Sequence, residues 1–508
     1  MAVTDKDPTE AIMLVEQTVG TFNQIVVGKE GQMVPVPGYP DQPTLAERVK
    51  QNLKPSTDAA AGFAAQAAAS AKAADDSAKL ASQISGLETV SDAIALASLP
   101  LPDVWAPLTD SLRMFVGNGR EVKIGDDVVA RYVSFSRATA ATCTDKNSDF
   151  KTAAINEPRF EKNGLLLEGG GTNLAPFSFG YDVVAGQLQA DNYSTARKDG
   201  GVKITPAPGQ TNKAVLIGAQ ALFSDQPSRP ISLSVTVKAD GYDMIVLGFR
   251  GTYTAAADNG IGVSLLDGSI KRTNHGLSVT QYEKLPDGFI KITVSTPAYT
   301  AGEPLWRRFV VGCGSMAEPY MAYSAYDADG VKGVIIKNFQ LTETAFPQSI
   351  IPTSGAAATR AADIATLPQS LNLGESQTGF SLSVEFDTVN TGAHRILELS
   401  DFSSIIADGA SITIRHAGKE VYGINAPLGK RHHLAYSVAA DGTITVALDG
   451  KLQSPQARSG GAVSSKSAII LGNRWNGAND MAMYGHIRDL KIWTKKPLTS
   501  DQLKVASA

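Results

Sequence analysis

The chain has 508 residues, 43% of them hydrophobic and only 19% charged, with 46 Lys+Arg against 50 Asp+Glu for a net charge of −4. This length suggests about three domains, each able to bury a core, and the near balance of charge excludes a protein that coats nucleic acid through a basic surface. No stretch of about 18 apolar residues occurs, so no membrane insertion is expected, and the acidic start MAVTDKDPTEAIM lacks the apolar core of a secretion signal.

Residues 1–55 read as a small leading module. Thr9 to Val19 carries Ile12, Leu14, Val15 and Val19, a short amphipathic or extended start. VPVPGYPDQP, Val34 to Pro43, is too Pro-dense for a helix or a central strand and reads as an extended arm or linker. Thr44 and Glu47 have capping-box spacing, so a short helix to Leu53 follows, ended by Pro55. Residues 56–98 differ in kind. From Ala59 to Ala74, 11 of 16 residues are Ala, the best helix former. A weak heptad frame passes through Phe63, Ser70, Ser77, Ile84 and Ser91 at one seam position. Ala59, Gln66, Ala73, Leu80, Leu87 and Ile94 occupy the other. Small seam residues bury little on a lone helix, so the segment is either a coiled coil with partner strands or a flexible spacer.

Residues 99–175 open with a Pro-rich break, LPLPDVWAPLTDS, in which Trp105 and Leu108 are expected to anchor the connector to the next domain. Arg120 to Tyr132 alternates as a hairpin turning at IGDD. Phe135 to Leu174 then reads FSRATAATCTDKNSDFKTAAINEPRFEKNGLLLEGGGTNL. Pro158 removes a backbone donor and disfavours helix at Glu157. Leu165, Leu166 and Leu167 form a buried strand with a sharp exit at Gly169, Gly170 and Gly171. Arg137, Arg159 and Glu168 are charged residues beside apolar ones. Either they pair internally and pin this segment, or the two arginines hold a ligand carboxylate.

Residues 176–350 alternate strongly. Ile231 to Val237, Met244 to Phe249, Ile261 to Leu265, Ile290 to Val294 and Gly333 to Leu341 read as strands. Asp-Gly turns sit at Asp240-Gly241, Asp267-Gly268, Asp287-Gly288 and Asp329-Gly330, the spacing of a β-sandwich. Residues 364–508 read as a second sandwich, with strands at Phe380 to Asn390 and within Gly429 to Lys451. Cys143 and Cys313, the two cysteines, fit no metal or redox spacing.

Several of these segments carry a resemblance. Ser136-Arg137-Ala138-Thr139, Glu157-Pro158-Arg159-Phe160, Gly164 to Gly169 and Thr172-Asn173-Leu174, in that order, resemble a motif of bacteriophage tail fibres, tailspikes and related virion proteins. There the motif leads into a carbohydrate-binding-like β-sandwich. PQSIIPTSGAAATRAAD, Pro347 to Asp363, looks like the closing strap of that sandwich, and the Ala/Ser/Lys-rich stretch resembles the helical segments of tail fibres, which are usually trimers. GKRHHLAYSVAADGTITVALDGK and SAIILGNRWNGANDMAMYGHIRDLKIWTKKPLTSDQL resemble the laminin-G-like and concanavalin-like lectin sandwich, ending in a turn of helix. The implied fold is mainly β: an N-terminal anchor (1–55), an Ala-rich α-helical coiled coil (56–98), a connector (99–175), and two antiparallel β-sandwich, jelly-roll domains (176–363 and 364–508).

No enzyme constellation is visible. Polysaccharide hydrolysis needs two positioned carboxylates, which the sequence does not single out, and neither a stacked-coil repeat nor Gly-x-Ser-x-Gly occurs. His432 and His433 are neighbours on a strand and face opposite sides, so they cannot chelate one ion together. Sugars are held by aromatic faces beside polar side chains. The loop Arg474, Trp475, Asn476, Asn479 and Asp480, with Tyr484 close by, has that chemistry, unless Trp475 packs on its own sandwich edge. Trp306 with Arg307 is a second candidate, or else a core Trp; Trp493 reads as core. The expectation is a tail fibre of the virion, made in the host cytoplasm, that binds without catalysis and without cofactor or metal. It would be a homotrimer, docked to a phage tail or baseplate protein through its N-terminus and contacting host surface glycan or an outer-membrane protein. The alternatives are a structural virion adaptor or decoration fibre and, third, a polysaccharide depolymerase.

Overall fold

The structure is a computed structural model. It describes residues 8–52, 60–70, 72, 95, 97–178, 188–189, 193–212, 215–217, 230–251, 260–273, 276–297, 306–316, 325–373, 379–400, 403–416, 419–454, 456–459, 468–474, 481–494 and 497–508. Two compact units are present, residues 1–88 and 89–508. The described chain is mainly antiparallel β-structure, and among the described residues no helix is long and apolar enough to cross a membrane.

In the first unit, helix α1 (Pro8–Val27) is longer than the Thr9-to-Val19 start read from sequence. The Pro-dense arm closes into a two-stranded hairpin, Met33–Val36 against Tyr39–Pro43. A two-stranded ribbon has only edges, so its prolines interrupt no central ladder. Val34 within it and Thr44 just after it are buried. Thr44 caps the helix over 45–52 by accepting the Glu47 amide at 3.2 Å, but the capping box is only half made. The Glu47 carboxylate instead accepts the Gly31 amide at 2.7 Å, tying the helix to the preceding loop. Of the Ala-rich stretch, 60–70 is helical, with Phe63 exposed. Ala59, Ala73, Ser77, Leu80, Ile84, Leu87, Ser91 and Ile94 of the seam lie outside the described residues.

In the second unit, two six-stranded antiparallel sheets share one apolar core. One sheet runs in the order Tyr193–Lys198, Gly201–Pro206, Gly333–Thr342, Ser232–Asp240, Ile290–Ser295, Ser278–Lys284. The other runs Leu188–Gln189, Val215–Ile217, Trp306–Gly314, Met244–Gly251, Gly260–Ser264, Ile270–Thr273. Alternating residues such as Leu233, Val235, Val237, Ile245, Leu247, Ile292, Val294 and Phe339 fill the space between them. All five strands read from sequence are present to within a few residues, and the four Asp-Gly pairs lie at strand ends with glycine φ between +71° and +101°.

A second pair of antiparallel sheets encloses a larger core. Its first sheet contains Arg159–Glu161, Gly164–Leu167, Gly485–Trp493, Phe380–Thr388, His432–Val438, Ile444–Leu448 and Lys451–Leu452, with Val104–Ala106 also on Gly485–Trp493. Its second contains Gln456–Ser459, Lys419–Asn425, Ser411–His416, Ser403–Asp408, His394–Ser400, Ala468–Leu471, Ile364–Pro368 and Ser134–Ser136.

This corrects the expectation of a separate connector over 99–175. Ser134–Ser136 pairs with Ile364–Pro368, and Gly164–Leu167 pairs with Gly485–Trp493. The connector strands therefore complete the C-terminal sheets, and the middle pair of sheets is an insertion between two halves of that unit. The physical reason is the apolar run Leu165–Leu167, buried on both faces, which needs an interior sheet position. Trp105 likewise donates its indole N–H to Asp489 at 2.8 Å, so the anchor is the last strand of the chain. The closing helix Ser500–Ala506 has a complete capping box between Thr499 and Gln502.

Candidate functional site

The loop singled out from sequence as a sugar-binding candidate follows Ala468–Leu471 in one C-terminal sheet and precedes Gly485–Trp493 in the other. Both ends are fixed by buried hydrogen bonds. Gly472 has φ +70°, and a Cβ there would lie 2.9–3.0 Å from Leu167 and the Met483 sulfur, so the exit from the strand demands glycine. The Gly472 amide donates to Ile396 O at 2.9 Å, and the Met483 amide donates back to Gly472 O at 2.9 Å. Asn473 is buried and accepts the Arg474 amide at 2.8 Å. On the returning side, Asn390 Nδ2 donates to Ala482 O at 2.7 Å and Thr388 Oγ1 donates to Met483 O at 2.6 Å.

Of the residues assigned from sequence, Arg474 stands half-buried at the base of this loop. Trp475, Asn476, Asn479 and Asp480 lie outside the described residues. Tyr484 departs from the expectation of a ligand contact: it is 4% exposed. Its hydroxyl donates to Gly170 O at 2.9 Å, its ring packs on Phe346 with centroids 4.7 Å apart, and burial pushes the phenol up to about 12. Its main chain is left-handed, φ +51°. Trp306 and Arg307 begin the strand Trp306–Gly314, and their side chains lie outside the described residues. Trp493 is core, as read from sequence, and donates to Pro100 O at 2.8 Å.

The charged residues of the Phe135–Leu174 segment form a buried network. Arg137 Nη1 donates to Asp363 at 3.0 Å, and Arg159 donates to Glu168 at 2.7 Å and to the second Asp363 oxygen. Arg360 lies 2.8 Å from Glu168 and donates to Gly169 O at 2.7 Å. Ser349 donates to Glu168 through both its amide, at 2.7 Å, and its hydroxyl, at 2.6 Å. Burial alone would raise the Glu168 carboxyl, but Arg360, Arg159 and these donors hold it at about 2. Burial lowers the Arg137 guanidinium, with Asp363 opposing, whereas for Arg159 the two carboxylates outweigh burial and raise it. Asn173 uses its whole amide nearby: Oδ1 accepts from Ala175 and Leu341 at 3.0 Å each, and Nδ2 donates to Ser178 at 2.8 Å and Ile351 O at 2.9 Å. The internal-pairing alternative is thus the one observed, and the arginines have no open face for a ligand carboxylate.

Sequence reasoning did not assign Arg360, Asp363 or Ser349 to this network. The signal was the Thr-Arg-Ala-Ala-Asp end of the closing strap, which carries the missing carboxylate. It also did not find His486, which lies between Asp387 at 2.8 Å and Glu161 at 3.1 Å. Burial opposes its charge, but the two carboxylates raise the imidazole to about 10. His432 and His433 do diverge. His432 bonds Asp449 at 2.8 Å, and His433 bonds Ser383 at 2.8 Å.

His433 also shares a cluster with Glu385 and Asp489, their ligand atoms within 4.8 Å of one another. Arg488 at 2.6 Å from Glu385 and Lys491 at 2.6 Å from Asp489 already supply positive charge there, which opposes a metal cation. The two cysteines are free and buried.

Comparison with protein-family models gives no match, and comparison with curated proteins gives none.

Proposed function

We propose that this chain is a bacteriophage tail fibre protein that attaches the virion to the host cell surface by binding glycan, without catalysis. The observation that supports this most is the convergence of the blocks that resemble virion proteins. Arg137, Arg159 and Glu168 from the first segment meet Ser349, Arg360 and Asp363 from the strap in one buried network, and Asn173 of the same segment donates to the strap's Ile351 O. Residues about 200 positions apart, which carry the resemblance, thus serve one structural purpose: they lock the inserted pair of sheets into the C-terminal unit. In this reading the two pairs of sheets are a carbohydrate-binding-like jelly roll and a laminin-G-like sandwich. In this reading the ligand contact is the loop of Arg474, Trp475, Asn476, Asn479 and Asp480, and loops are where binding residues concentrate. Residues 1–55 dock to the tail, and 56–98 space the fibre.

The test is competition. Purified full-length protein, added in excess to host cells, should block adsorption of the particle that carries it. Undiminished adsorption with the protein bound to no cell would overturn the reading. Co-purification with a second fibre instead would favour an adaptor, and release of reducing ends from host polysaccharide would favour a depolymerase.

A further inference from the structure

The strand Gly485–Trp493 is bulged where it crosses the first C-terminal sheet. Ser383 pairs with Lys491 and Glu385 with Arg488, so this strand holds one extra residue between the two pairs. Asp489 sits there with a left-handed main chain, φ +50°, a strained conformation for a residue other than glycine. Leu490 and Ile492 stay in the core. The bulge re-aims the remaining side chains, so that Arg488, Asp489 and Lys491 gather on the outer face instead of alternating.

Two aromatic rings stand beside these charges. Trp105 faces outward between the core residues Val104 and Ala106, and Phe115 follows the core residue Met114. Their centroids are 5.0 Å apart, the planes inclined at 43°, and Phe115 is 63% exposed. Asp489 accepts the Trp105 indole at 2.8 Å and the Lys491 ammonium at 2.6 Å, and that ammonium lies 5.7 Å from the Trp105 centroid. Glu385, which accepts from Arg488 at 2.6 Å, and His433 adjoin Asp489. The indole bond anchors Val104–Ala106; it does not call for an exposed second ring. We propose that Trp105 and Phe115, with Glu385, Arg488, Asp489 and Lys491, form a binding site for a neutral hexopyranose glycan.

The chemistry of the group selects that class. A pyranose offers an apolar C–H face to an aromatic ring and a rim of hydroxyls that both donate and accept. Here Lys491 and Arg488 donate, and Asp489 and Glu385 accept. These four side chains are 16–26% exposed, so each reaches the surface. Two carboxylates balance two cations, and burial pushes the His433 imidazole down, toward its neutral form. Arg431, half exposed and 3.6 Å from Glu385, adds a charge at the rim. An anion would meet two carboxylates and a cation two fixed positive charges, whereas a polyol meets neither penalty. The site is separate from the 474–480 loop: Gly485, just after that loop, is six residues from Lys491, roughly 20 Å along a strand.

This inference rests on the glycan reading above and gives it a second contact. Titration calorimetry of the full-length protein with neutral hexose tetrasaccharides of gluco, galacto and manno configuration tests it. Phe115→Ala should weaken the tetrasaccharide that binds about tenfold, the worth of one stacked ring, with the melting temperature unchanged. Phe115→Trp, which restores a ring, should bind as the unmodified chain does. A hexuronate tetrasaccharide should bind no more tightly than the neutral one. Unchanged binding in Phe115→Ala, equal weakening in Phe115→Trp, or tighter Phe115-dependent binding of the hexuronate would each overturn the proposal. Trp475→Ala keeps the two sites apart. Loss in Trp475→Ala with Phe115→Ala unaffected sinks this site and leaves the loop; loss in Phe115→Ala with Trp475→Ala unaffected does the reverse. No binding of any tetrasaccharide refutes this site, while the adsorption assay still decides the glycan reading.

Discussion

Replacing Asp363 by Asn tests whether the buried arginine network holds the inserted sheets in place. One Asp363 oxygen accepts from Arg137 at 3.0 Å; the other accepts from Arg159 and from the Glu168 amide at 2.9 Å. Asparagine keeps the shape but turns one of those acceptors into an NH2 donor facing another donor. Arg159 and Arg360 would then share Glu168 alone and Arg137 would lose its carboxylate partner, among side chains 0–3% exposed. Removing one partner of a buried ion pair costs about 3–5 kcal/mol, because the remaining charge stays buried without compensation. Residues 89–508 form one compact unit. If they unfold together, at about 2 cal/mol/K of entropy per residue, the melting temperature falls by about 3–6 °C. Scanning calorimetry of the full-length variant reads this directly. Glu121→Gln is the control, since its pairs with Lys123 and Arg131 are exposed and are worth at most about 1 kcal/mol. A shift for Asp363→Asn no larger than for Glu121→Gln would refute the reasoning.

The pH dependence follows from two buried groups with opposite signs. Glu168 is held at about 2 against an ordinary 4.5, so it contributes stability above pH 4.5 that is lost as pH falls toward 2. The contribution is roughly 3 kcal/mol, and Glu168→Gln should flatten that limb of an acid titration followed by circular dichroism. His486, raised from 6.5 to about 10, contributes stability that is complete below pH 6.5 and is lost as pH rises through 10. Urea midpoints should therefore drop between those values by an amount equivalent to roughly 5 kcal/mol; a midpoint independent of pH there would show that the histidine is not charged. Trp475→Ala should weaken cell adsorption and leave the melting temperature unchanged, since a core Trp would instead cost about 3–5 kcal/mol. Tyr484→Phe removes the bond to Gly170 and should cost about 1 kcal/mol of stability, measured by calorimetry.

The strands of the middle sheets were legible because their pattern is local. Ser232–Asp240 and Gly333–Thr342 alternate and end at Asp-Gly pairs, so periodicity and turn chemistry mark both face and boundary. Partner strands were not legible. Leu165–Leu167 announces burial, but nothing near it says that its neighbour is Gly485–Trp493, more than 300 residues away. A non-local pairing leaves no local trace, so the connector read as separate although it completes the C-terminal sheets. Tyr484 misled for a related reason. An aromatic beside a polar loop has the composition of a sugar platform, and only the fold shows its hydroxyl reaching Gly170. In α1 the apolar start read from sequence ends at Val19, whereas the helix runs on to Val27.

Tyr484 and the network meet at the glycines that close the Leu165–Leu167 strand. Arg360 donates to Gly169 O, and Tyr484 donates to Gly170 O. A Cβ on Gly169 would lie 2.6 Å from the Tyr484 hydroxyl, so the glycine is what lets the ring pack against this strand exit. Tyr484 immediately precedes the strand that carries His486, Arg488 and Trp493. The base of the candidate binding loop is therefore built from the motif segment on one side and the last strand on the other. This gives a physical reason for the insertion topology. In the proposed reading, a loop that presents polar and aromatic groups to a ligand needs a base with little freedom. Here the base is fixed by the Gly472–Ile396, Met483–Gly472, Asn390–Ala482 and Thr388–Met483 hydrogen bonds, and the Tyr484–Gly170 bond ties it to the segment that carries the buried arginine network.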